Sequence, residues 1–280
     1  MHVSLRNTTL LIRPGLLLFL TVWLVYGLVV NSDNLKQFNL QQMGVDPIDE
    51  RAAYYVEVSS TPQLQPRGDV FKYDGHVYAA KQPGQFMSGA VVYFFLHLLG
   101  LSYLKQFLLT SALVTWLTTG LVTAVGAVVV FQLARALTRG RSTAWALGAA
   151  LTFALGTTAF PYTGIAHHDA IASCFVLLAF YFVFRLRGEG VAGQERWLAG
   201  LAGVFLGLTV TTSMLPFFMA LVVVLYFLSL RRWSLVPWLA LGGLLGLAPL
   251  LAYDAINFGN PLALPNIVGN FSDTFFQPSL

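Results

Sequence analysis

Long apolar blocks separated by short polar breaks dominate this chain. Taken in order, the blocks predict helices over about 10–30, 107–134, 143–162, 169–185, 197–212, 214–230 and 235–253. A helix needs about 20 predominantly apolar residues to cross bilayer hydrocarbon of about 30 Å, and several of these blocks meet that requirement. Two stretches need separate treatment. Phe86–Gly100 is apolar but short, and it holds His97, so it reads as a surface or re-entrant helix with Tyr93, Phe94 and Phe95 near lipid. Trp197–Leu230 carries no charge at all, yet as one helix it would reach about 50 Å. A break near Thr211-Thr212-Ser213, ahead of Pro216, divides it into two spans.

The polar breaks then orient the spans. Arg6 and Arg13 precede the first block, and Arg135, Arg139 and Arg141 follow the second. Arg185, Arg187 and Arg196 flank the connection between the fourth and fifth, and Arg231 and Arg232 follow the sixth. With a cytoplasmic N-terminus, all of these clusters fall inside, as the positive-inside rule requires. The acids Glu189 and Glu195 also fall inside; the other acids fall outside or at outer span ends. Residues 31–106 become a large outer loop. No small-residue cleavage site follows the first block, which continues Asn31-Ser32-Asp33-Asn34, so it is expected to remain as an uncleaved span.

Composition agrees with this picture. The chain is 56% hydrophobic and 10% charged, and its single cysteine, Cys174, excludes an intramolecular disulfide. A net charge of +4 arises from arginines in short loops, an orientation signal and not a nucleic-acid surface. The reading is an all-α polytopic membrane protein: one membrane domain over 1–280, about seven transmembrane helices, and a juxtamembrane helix at about 86–100. No internal repeat or low-complexity linker is apparent.

Candidate chemistry gathers at the outer face. Asp33 follows the first span, and His167-His168-Asp169 fills the tight connection before the fourth. Asp33 also fits as part of a polar cluster that ends a membrane helix. Asp169 fits equally as a helix N-cap or as an acid at the positive end of the helix dipole, and the histidines fit as interfacial residues. Against that, ionisable groups at membrane depth are costly and mark function by default. Two carboxylates with His168 suit a divalent cation such as Mg or Mn. They equally suit a division of labour, in which one is a general base and the other orients an acceptor. The outer loop supplies Arg51, Arg67, Lys72, His76 and Lys81, groups that stabilise phosphate oxygens, although a solvated loop accounts well for Arg67 and Lys72. Lys81 stands just before Pro83-Gly84 and an apolar surface helix, where a lipid headgroup would rest.

A first span ending in NSDNLKQF, a long outer loop closing with YDGHVYAAKQPGQF, and a short apolar helix after it resemble the C-type (GT-C) integral-membrane glycosyltransferases. The nearest likeness is to the bacterial branch related to protein O-mannosyltransferases and lipid A aminoarabinose transferases. The family's acid after the first span corresponds to Asp33, and its second acid, after the third span, to Asp169. Its Tyr-Asp-Gly…Tyr…Lys-x-Pro-Gly stretch corresponds to Tyr73, Asp74, Gly75, Tyr78, Lys81, Pro83 and Gly84. NFGNPLALPN, residues 257–266, is similar to a loop after the family's seventh span. The family often has a Glu or an acid pair in the first loop, whereas Asp33 lies between Ser32 and Asn34. Its members usually continue into further spans, so the resemblance makes this chain a truncated or short member.

The resemblance implies a bacterial plasma-membrane enzyme of the cell envelope that is active on the outer face. Its donor would be a polyprenyl-phosphate sugar, and its acceptor a lipid, a glycan or a protein. In that scheme Asp33 is the base, and Asp169 with His168 positions the acceptor or a metal. Lys81, with His76 or Arg51, meets the donor phosphate, while Tyr73, Asp74, Tyr78 and His167 line the cavity. Two other classes remain open: a transporter or channel component that uses Asp33 and Asp169 as ion sites, and an auxiliary subunit that keeps the fold without the chemistry.

Overall fold

A computed structural model describes residues 8–30, 70–73, 76–79, 81–103, 105–188 and 193–263. Asp33, Arg51 and Asp74 lie outside the described residues, and for Tyr73 and His76 only the backbone is described.

Helices form over every block that the apolar pattern marks. They are α1 (Thr8–Val30), α2 (Gly84–Leu98), α3 (Phe107–Thr115), α4 (Leu121–Leu137), α5 (Thr143–Gly156), α6 (Ala159–Tyr162), α7 (His168–Leu186), α8 (Glu195–Thr212), α9 (Phe217–Ser229) and α10 (Val236–Phe258). Three helical stretches are long and apolar enough to cross a membrane: Leu109–Leu137, His168–Leu186 and Trp233–Phe258. Shorter apolar helices cover Pro14–Leu28, Gly84–Leu98, Thr143–Gly156 and Phe217–Ser229.

The surface of the bundle is apolar. Leu17, Leu24, Phe218, Val222, Leu244 and Leu245 are exposed, whereas Ala, Gly and Thr fill many of the buried positions. Exposed apolar residues at this density suit a lipid environment. Small buried residues fit that setting, because helices in lipid associate by close packing and not by water exclusion.

Close packing is most evident between α8 and α10. These helices run parallel: Gly203 meets Leu239 and Gly243 near the middle, and Gly207 meets Gly243 and Gly246 further along. A Cβ at Gly203, Gly207, Gly242 or Gly246 would overlap a backbone carbonyl of the other helix. Towards the far end, Thr211 Oγ1 donates to the Gly246 carbonyl at 2.8 Å. Helix α9 brings the chain back between them and packs on α7, with Tyr226 against Phe180 at a ring separation of 5.6 Å.

The structure departs from the apolar pattern in three places. The block at 143–162 is not one helix. Thr157 is extended; its hydroxyl donates to the Phe153 carbonyl at 2.7 Å and accepts from the Ala159 amide at 3.2 Å. One side chain thereby ends α5 and starts α6. The second departure is a π turn, Trp116–Gly120, which joins α3 to α4. The indoles of Trp23 and Trp116 stack at 4.5 Å, and each donates to the other's carbonyl. This pairing ties the wide turn to α1. The third departure is an antiparallel hairpin of β1 (Val70–Tyr73) and β2 (His76–Ala79), with Tyr73 opposite His76. Asp74-Gly75 stands between the strands in sequence, a dipeptide that short hairpins favour.

At α2, Phe94 and Phe95 are exposed. Tyr93 instead turns inward onto Tyr103, 4.6 Å between rings. The predicted break after Thr212 is present, and α9 begins at Phe217.

Candidate functional site

The helix starts and ends divide the bundle into two faces. Arg135, Arg185, Glu195, Arg196 and Arg232 mark one. The starts of α2 and α7 and the ends of α8 and α10 meet at the other.

Asp169 lies in the first turn of α7 but does not cap it. The N-cap position belongs to His167, which makes no side-chain capping bond. The Asp169 carboxylate reaches across to α8, where Ser213 Oγ donates to Oδ1 at 2.5 Å. Ser213 can do this because α8 stops at Thr212 and leaves it extended. His168 Nε2 stands 3.6 Å from Oδ1, and His167 Nδ1 4.0 Å from Oδ2. The two imidazoles are nearly parallel at 5.1 Å, and Tyr162 packs on His167 at 4.5 Å. His167 Nδ1 is buried without a hydrogen-bond partner among the described residues.

The Lys81–Gln85 stretch arrives at the same place. A Cβ at Gly84 would overlap Thr212 Oγ1 and stand 2.8 Å from the Thr211 carbonyl, so only glycine permits this approach. Gln82, Pro83 and Gln85 are buried and Lys81 is half-buried. The Lys81–Gln85 segment and Asp169 therefore converge on three consecutive residues, Thr211 to Ser213. Tyr78 joins through the end of α10: its ring meets Phe258 at 5.1 Å, and Phe86 meets Tyr253 at 5.5 Å.

Of the residues expected from sequence, Tyr78, Lys81, His167, His168 and Asp169 thus gather around the ends of α8 and α10. Three groups were not anticipated. Ser213 orients Asp169. Asp254, on α10 beside Tyr253, is fully buried, and neither carboxylate oxygen has a hydrogen-bond partner among the described residues. Gln85 Nε2 is likewise buried and unpartnered. The one sequence signal for Asp254 is an acid at the end of an apolar helix, four residues before Phe258-Gly259.

A cavity of about 320 Å³ opens below Asp169, lined by α4, α5, α6 and α7. Thr123, Thr157, Thr158 and Ser173 supply hydroxyls, while Phe153 and Leu177 supply apolar walls. Among the described residues no three His, Cys, Asp or Glu side chains form a metal-ligand set. His168 and Asp169 offer a pair, too few ligands to hold a cation by themselves.

No family model matches the sequence, and no match was found among curated proteins or solved structures.

Proposed function

We propose that this chain is a glycosyltransferase of the bacterial plasma membrane, moving a sugar from a polyprenyl-phosphate donor to an acceptor on the extracytoplasmic face. One observation carries this reading: a cationic segment, Lys81–Gln85, and an oriented carboxylate, Asp169, meet at Thr211–Ser213, at the end opposite the arginines. Glycosyl transfer from a lipid phosphate needs both kinds of group in one place.

The chemistry assigns the roles. An acceptor oxygen attacks the anomeric carbon, and the carbon–oxygen bond to phosphate breaks. The phosphate leaves with the bonding electrons, and the acceptor proton passes to a carboxylate. Asp33 is the base in this scheme. Asp169, held by Ser213, orients the acceptor hydroxyl. Lys81 offsets charge on the leaving phosphate, a stabilisation of the oxyanion type. The apolar skin supports this reading, because a polyprenyl donor resides in lipid.

The test follows label. Membranes containing the protein are incubated with a polyprenyl-phosphate sugar labelled in the sugar, and label leaving the lipid is counted. Lys81→Gln should lower release about ten- to a hundredfold, as expected for one lost charge-assisted contact, whereas Lys105→Gln, exposed in the turn before α3, should not. Equal rates for the two variants, or no release by the unaltered protein, would sink the proposal.

A further inference from the structure

Helices α5 and α7 both pack on α4 but make little contact with each other. The cavity below Asp169 is the cleft that this arrangement leaves. Its floor is tight: a Cβ at Gly126 would stand 3.2 Å from Cys174 Sγ and 3.4 Å from Phe153 Cε1. Its flank is open, because Ser173 and Thr157 line the cavity and are themselves exposed. From Asp169 the cleft follows α7 through Ser173 to Leu177, about 12 Å at 1.5 Å per residue. A polar mouth, an apolar trough and an opening on the flank of an apolar bundle describe a site for an amphiphile that enters sideways.

The mouth selects the headgroup. Asp169 presents a carboxylate whose Oδ1 already accepts from Ser213, with His167 4.0 Å from Oδ2. A carboxylate accepts a hydrogen bond from a hydroxyl and repels a phosphate. The donor phosphate therefore belongs at Lys81, and a hydroxyl group belongs here. We propose that the cleft between α5 and α7 holds the hydrocarbon chain of a membrane-lipid acceptor, whose hydroxyl is received by Asp169. This narrows the acceptor class of the transferase reading and rests on it.

The test uses the full chain in lipid nanodiscs with two photoreactive probes of identical chain, one ending in a primary hydroxyl and one in a phosphate, each with the photoreactive group at mid-chain. Adducts are mapped by mass spectrometry. The alcohol probe should label the Phe153–Thr157 and Ser173–Leu177 segments at least fivefold more than the exposed face of α9. The phosphate probe should not show this preference. Ser173→Phe should remove most cleft labelling, and Ser173→Val, a smaller intrusion, should remove part of it. Asp169→Asn should reduce the preference for the alcohol over the phosphate. Equal labelling by both probes, labelling of α9 as strong as in the cleft, or full cleft labelling in Ser173→Phe would each overturn the inference. The two readings fail differently. If Ser173→Phe leaves sugar transfer unchanged, the transferase stands and the cleft assignment falls. If the cleft is labelled as described and no sugar leaves the donor, the lipid site stands and the transferase reading falls.

Discussion

The two ends of the bundle treat their described polar groups in different ways. At the arginine end several charges find partners. Arg232 pairs with Glu195, and the Arg185 guanidinium donates to Tyr181 Oη at 3.1 Å. Arg196 lies over the Trp238 ring at 5.6 Å, and Ser142 caps α5 by accepting from the Trp145 amide. At the other end Asp254, Gln85 Nε2 and His167 Nδ1 are buried with no hydrogen-bond partner among the described residues. Exposed ion pairs and cation–π contacts contribute about 0–1 kcal/mol each. A buried polar group left unmade costs about 1–3 kcal/mol. The second end retains a cost that stability alone does not explain, and the proposed site lies there.

The sharpest way to break this contrast is Asp169→Asn. The amide keeps the size and can still meet Ser213, but the negative charge is gone. Transfer should fall about a hundredfold, close to 2.7 kcal/mol of barrier, with thermal unfolding nearly unchanged. A variant that loses fold and transfer in parallel would show Asp169 to be structural.

Asp254→Leu tests the cost directly. Replacing an unpartnered buried carboxylate by an apolar group of similar volume should stabilise the protein by about 1–3 kcal/mol, read as a raised unfolding temperature in detergent. Destabilisation of that size would mean that Asp254 has a partner, and the contrast between the ends would weaken.

Ser213→Ala removes the bond that holds Asp169 while leaving α8 intact. Since Asp169 is 28% exposed, water replaces part of the loss. The expected cost is about 1 kcal/mol, together with weaker capture of the alcohol probe. Unchanged capture would separate Ser213 from the site.

The smallest effect belongs to the arginine end. Glu195→Gln should cost less than about 1 kcal/mol, because both partners are a third or more exposed, and added salt should erase the difference. A large, salt-independent loss would make this end as specialised as the other.

Much of this was legible in the chain, and unevenly so. Thr211-Thr212-Ser213 before Pro216 marked the break between α8 and α9 because the charge-free stretch is too long for one crossing. The β1–β2 hairpin was not anticipated, because the apolar pattern passes over strands of four residues. The break at Thr157 depends on a hydroxyl that bonds in both directions, and no periodicity encodes it. Asp254 looked like one of several outer acids until its burial separated it from the rest.

Hydrophobicity summed over a helix is a local quantity, so the sequence by itself determined where the helices lie, which of them can meet lipid, and which loops carry the arginines. The meeting of Lys81–Gln85 with Asp169 is not local. It depends on Gly84 pressing against Thr212 and on Ser213 reaching Asp169, contacts between residues far apart in the chain. The same holds for the unpartnered state of Asp254 and for the cleft that α5 and α7 leave over Gly126. Burial and partnership belong to pairs of surfaces, and only the tertiary structure brings those surfaces together.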